Sequence, residues 1–171
     1  MDIIGHRRSL KWFPLLTVLW LLACAPAIPP ETLKNVDQSI PFESLLKDPE
    51  AFQGKSVLFG GDIIETENLP EKTLIIILQH SLNSKRRPIG GDASKGRFIV
   101  SAPEFLDPAI YRPGRQITVV GTVAGKEVRT LNEIEYAYPI IDRQHLHLWP
   151  VEKYVDTEPK VYFGIGIGVY R

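Results

Sequence analysis

Gln116-Ile117-Thr118-Val119-Val120-Gly121-Thr122-Val123 is the stretch that decides the fold. Six of its eight residues are β-branched, the type that packs best on a pleated surface. Successive side chains of a strand point to opposite faces. Ile117, Val119 and Val123 therefore share one face, and Thr118 and Thr122 the other. That division marks a strand with one buried side.

Working outward, similar patterns appear on both sides. Toward the C-terminus, Glu133-Ile134-Glu135-Tyr136-Ala137-Tyr138 and His145-Leu146-His147-Leu148-Trp149 also alternate. Toward the N-terminus, Arg97-Phe98-Ile99-Val100 reads as a short strand, and Thr73-Leu74-Ile75-Ile76-Ile77-Leu78 as a buried one. Ser56-Val57-Leu58-Phe59 runs into Gly60-Gly61 and on to Asp62-Ile63-Ile64-Glu65. Paired glycines inside a strand pattern predict a bulge or a sharp bend, as small barrels need at corners. Pro41-Phe42-Glu43-Ser44-Leu45-Leu46 predicts one short helix, with Pro41 at its first position and Asp48-Pro49 ending it. One helix and about six short strands predict a mainly β chain folded as a small OB-like β-barrel. A transmembrane β-barrel is the competing architecture. It needs strands of about 9 to 11 residues with an apolar outer face, and the runs here are shorter and interrupted by charge.

The front of the chain reads as an address. His6-Arg7-Arg8 and Lys11 are basic, and the uncharged run Trp12 to Ala23 follows. That run is too short to span a bilayer and suits a cleaved signal peptide over residues 1–23. It ends in Leu21-Leu22-Ala23-Cys24, with small Ala23 before the chain's one cysteine. This pattern resembles the lipobox of bacterial lipoproteins, so Cys24 is the expected lipidation site. Loss of residues 1–23 leaves 17 basic and 19 acidic side chains, a net charge of −2. Attachment to the membrane would then come from the lipid, each buried CH₂ being worth about 0.8 kcal/mol. Residues 24–39, with Pro26, Pro29 and Pro30, read as lipidated N-terminus and extended tether. The residue after the cysteine is Ala25, not Asp, which by the sorting habit of lipoproteins suggests the outer membrane. Residues 40–155 would form the domain. Residues 156–171 include Val161 to Tyr170, where glycine alternates with apolar residues, and read as a last strand, an edge for a partner, or a tail.

Several segments, in this order behind a lipobox, carry a family resemblance. They are Phe59-Gly60-Gly61-Asp62-Ile63, Gly96-Arg97-Phe98, Phe105-Leu106-Asp107-Pro108, Tyr111 with Gly114-Arg115, Thr118-Val119-Val120-Gly121, Tyr136-Ala137-Tyr138-Pro139 and Leu146-His147-Leu148-Trp149-Pro150. Together they resemble the Slp family of outer-membrane lipoproteins, a family named for starvation and stress induction. The resemblance implies an outer-membrane location and an envelope or stress role, and brings no catalytic residues with it.

Chemistry is sparse. Past Cys24 there is no thiol, and no HExxH, GxSxG, P-loop or dinucleotide fingerprint occurs. His145 and His147 fall on one face of a strand, a spacing that can bind metal, with His80 as a distant third. Leu146 and Leu148 would hold the core side, so the histidines are expected to be solvated and no metal or other cofactor is expected. The 171-residue chain has zero formal net charge, which gives no reason to expect nucleic-acid binding. Arg86, Arg87, Arg97 and Arg115 are candidate anion-binding residues if folding gathers them. The sequence thus predicts no enzyme but an outer-membrane lipoprotein, its domain facing the periplasm. Its expected partners are the membrane, through the lipid, and an envelope protein or glycan. The rival readings are an envelope glycan- or anion-binding module on the barrel, and a divergent envelope hydrolase.

Overall fold

The computed structural model describes residues 26–151. The order is α1 (Pro30–Leu33), α2 (Phe42–Lys47), a 3₁₀ turn (Glu50–Phe52), β1 (Ser56–Asn68), β2 (Thr73–Gln79), β3 (Arg97–Ala102), β4 (Gln116–Leu131) and β5 (Ile134–Leu148). The strands close into a barrel in the order β1-β2-β3-β5-β4. Neighbours are antiparallel except β3 and β5, which run parallel at Ile99–Ile140. A closed five-stranded barrel of this order is an OB-like arrangement.

Among the described residues the strands number five, not six. The segments ending at Tyr138 and beginning at His145 are two ends of one strand. Opposite Val120 and Gly121, β5 carries one extra residue, Gln144. The bulge reverses the alternation: Ile141 faces the core on odd numbering, Leu146 and Leu148 on even. A single period-two pattern therefore cannot span β5.

The glycine pair makes the expected bend. The first half of β1 pairs with β4 and the second with β2, and Gly61 and Asp62 pair with both. A Cβ on Gly61 would run into the carbonyl of Leu78, and one on Gly60 would stand 2.6 Å from the carbonyl oxygen of Ile117. The bulge itself falls later, between Ile63 and Glu65.

Apolar side chains fill the interior, among them Ile63, Ile75, Ile77, Val100, Ile117, Val119 and Ile141. The helix α2 lays Phe42 on this core, 5.3 Å from the ring of Phe59 and 5.7 Å from that of Phe98. Pro41 is the extended residue before the helix rather than its first member. An apolar lumen is the reverse of a transmembrane barrel, whose interior is polar. Outside the lumen, Leu74, Ile76, Ile99 and Tyr138 form a second apolar cluster.

Chain expected to stand free as a tether is packed from Ile28 onward. Ile28 is 3% exposed, Pro30 opens a helical turn, and Val36 bridges to Ser56. Proline is tolerated there because the first helical residue needs no N–H partner. The signal peptide, Cys24 and the glycine-alternating tail lie outside the described residues.

Candidate functional site

The chain gathers polar groups at the barrel end where β4 begins and β5 finishes. The connection from β2 to β3 folds over this end through its asparagine. Asn83 Oδ1 accepts from the backbone N–H of Lys85 at 2.9 Å and of Arg87 at 3.0 Å. Arg86 takes the left-handed φ of 65° that so tight a turn needs, and its carbonyl accepts from Thr118 Oγ1 at 2.7 Å. Thr118, expected on a solvated face, is fully buried under this loop. The same hydroxyl accepts from Trp149 Nε1 at 2.9 Å, which pins the indole on the outer face of β4 and β5.

A cleft of about 450 Å³ results, lined among others by Asp62, Arg87, Ile89, Arg115, Gln116 and Trp149. Arg87 Nε donates to Gln116 Oε1 at 2.8 Å, and its guanidinium stands 5.6 Å over the Trp149 ring, in cation–π range. Arg115 donates to the carbonyls of Ile110 and Trp149 at 3.2 and 2.9 Å. Its Nε is buried without a partner among the described residues. The apolar side chains Ile89 and Val151 stand exposed on the cleft.

Of the four arginines singled out by sequence, folding brings Arg87 and Arg115 into this cleft. Arg86 lines a separate hollow with Lys95 and His80, and Arg97 lines neither. The backbone N–H of Arg97 donates to Tyr136 Oη at 2.9 Å.

His145 and His147 do point away from the core, but they are half-buried rather than solvated. His145 Nε2 lies 3.3 Å from the Ala27 carbonyl oxygen, and His147 meets Trp149 edge-on at 4.5 Å. Burial, and then the neighbouring His145, hold the His147 imidazole below its ordinary pKa. The third histidine, His80, is buried elsewhere. Its Nδ1 is 3.0 Å from the Ala93 carbonyl oxygen and its Nε2 is 3.4 Å from Asp62 Oδ2. Among the described residues no three metal-ligating side chains come together. The pairing of Asp62 with His80 across β1 and the end of β2 carried no sequence signal, since the two are 18 positions apart on segments whose register was unknown.

Comparison with known proteins bears on the whole chain. It is 27% identical over 155 residues to "Outer membrane protein Slp" of Escherichia coli (strain K12), covering 89% of this chain and 82% of that protein. It is 28% identical over 116 residues to "Uncharacterized lipoprotein YeaY" of the same organism, covering 68% of this chain and 60% of that one. Among solved structures, a small single-stranded DNA-binding protein from Streptomyces coelicolor matches 56% of this chain and 94% of its own, at 12% identity and a TM-score of 0.33. The OB-like assignment stands on the strand order of the barrel itself. Residues 21–170 match the Outer membrane lipoprotein Slp family. With that match running through the barrel and its cleft, the chain belongs to the Slp family and is an outer-membrane lipoprotein.

Proposed function

We propose that this protein works without catalysis, as a binding or scaffolding domain anchored by acyl chains on Cys24 and facing the periplasm, with an interaction role in the envelope under stress. The observation that supports this most is the lipobox Leu21-Leu22-Ala23-Cys24 standing directly before a packed apolar barrel. The Cys24→Ser chain should leave the outer membrane on fractionation and carry no labelled palmitate, while the unaltered chain carries it. An unlabelled wild type that still sediments with the membrane would refute the anchor.

A second reading has its own support. Arg115 offers a buried N–H with no partner among the described residues, beside Arg87, in an open cleft. A phosphate or carboxylate group would satisfy it, because guanidinium binds such oxyanions through several N–H groups at once. Inorganic phosphate should raise the melting temperature of the native chain, and Arg115→Gln should abolish the increase. No increase for the native chain removes this reading.

A further inference from the structure

The geometry points to the outer face of β5, from His145 through Trp149 to Arg87, as the surface that lies against the bilayer, with phospholipid headgroups as its occupant. This rests on the lipidation of Cys24 and deepens the oxyanion reading of the cleft.

Chain length carries the argument. An extended residue spans at most about 3.6 Å, so Cys24 stands no more than about 11 Å from Ala27. Ala27 is fixed: its carbonyl oxygen lies 3.3 Å from His145 Nε2, and Ile28 beyond it is buried. A domain of this size has a radius of gyration of roughly 14 Å, longer than that reach. An acylated Cys24 therefore cannot hold the barrel off the membrane. It brings the face that bears Ala27 to the surface, and the short link makes the contact effectively intramolecular.

What this face presents suits a headgroup layer. Beyond His145 come His147, the half-buried Trp149 stacked edge-on against it, and the Arg87 guanidinium over the same indole. The cleft alongside adds Arg115 and the exposed Ile89 and Val151. Tryptophan settles at the level of headgroups, arginine meets their phosphates, and a few apolar side chains reach the acyl boundary. The N–H groups of Arg115 that have partners go to carbonyl oxygens rather than to a carboxylate.

The test uses the one tryptophan that remains after residue 23, Trp149, since Trp12 and Trp20 precede Cys24. The lipidated protein is purified from membranes, its mass is measured, and it is reconstituted into phosphatidylethanolamine–phosphatidylglycerol vesicles with or without a lipid spin-labelled near the headgroup. The label should quench Trp149 emission about two-fold. A second chain, Trp149→Phe with Phe105→Trp, places the fluorophore on an exposed residue after β3, and its emission should be unchanged. Should that chain fail to fold, quenching of Trp149 by less than a tenth is alone decisive against the inference. Equal quenching at both positions, in a protein that carries its acyl chains and floats with vesicles, overturns the face and leaves the anchor standing. A protein that lacks acyl chains and does not float refutes the anchor, and the inference with it.

Discussion

Gly61 is the residue on which the barrel closes. Only there and at Asp62 does β1 hold two strands at once, and the space beside its Cα is taken by the Leu78 carbonyl. A side chain at 61 must push two backbones apart, which a close-packed barrel resists. Gly61→Ala should cost at least about 3 kcal/mol of stability in urea titration, as overpacking against backbone does at its upper end. Gly90→Ala is the comparison: its nearest neighbour would be Gln116 Nε2 at 3.4 Å, so its titration midpoint should hardly move. A tolerated Gly61→Ala would show that the bend has slack. At this scale the sequence was informative where a residue type has a single physical use. The Gly-Gly pair inside an apolar run announced the bend. Arg87 and Arg115 were legible as cations, but their meeting depends on the Asn83 turn and on a register between distant strands. Arg86, adjacent in sequence, lines the other hollow because the left-handed backbone of the turn, at φ 65°, parts it from Arg87.

At the scale of elements, the sequence reports each strand through its alternation and fails where a bulge breaks it. The sequence marks β2 over Thr73–Leu78 and the strand runs Thr73–Gln79, because one apolar block leaves no phase to mistake. The alternation that marks β4 stops at Val123 because in its outer arm, Ala124–Leu131, no residue is buried. In that arm Arg129 joins Glu127 and Glu67 at 2.6 and 3.0 Å. The helix α2 was legible from Phe42, Leu45 and Leu46 on one side of a Pro-initiated turn. Its contribution is a plug. Phe42 is 3% exposed and closes an aromatic trio with Phe59 and Phe98, while the helix itself has only six residues. So short a helix does not persist without tertiary packing. Phe42→Ala should therefore cost about 3–5 kcal/mol by the loss of a buried ring and the cavity left behind. Far-UV circular dichroism of the native state should lose helical signal as well. A variant with native stability would mean that α2 rests on the barrel without closing it.

At the scale of the whole molecule, the boundary between anchor and domain decides how the protein sits in the envelope. A tether of residues 24–39 would let the barrel range widely, and proline content alone supports that picture. Packing argues otherwise. The chain from Ala27 to Val36 touches β5 at His145 and β1 at Ser56, the two strands that flank β4 in the barrel. The backbone N–H of Asp37 then donates to the Ser56 carbonyl at 2.8 Å. Val120, which alternation turns outward on β4, has no exposed surface. None of this was visible in the sequence, since a single isoleucine among prolines gives no periodicity to read. A piece starting at residue 40 should therefore be less stable than one starting at residue 26, both ending at 151. Burying one isoleucine is worth about 1.5–3 kcal/mol and a net backbone hydrogen bond about 1 kcal/mol, so the deficit should be about 2–4 kcal/mol. Urea titrations of the two pieces, followed by circular dichroism, measure it directly. Equal stability would return residues 28–37 to the role of a free linker and let the barrel stand tens of ångströms from its lipid. A deficit in the stated range limits the link to the few residues between Cys24 and Ile28, as the proposed membrane-facing surface requires.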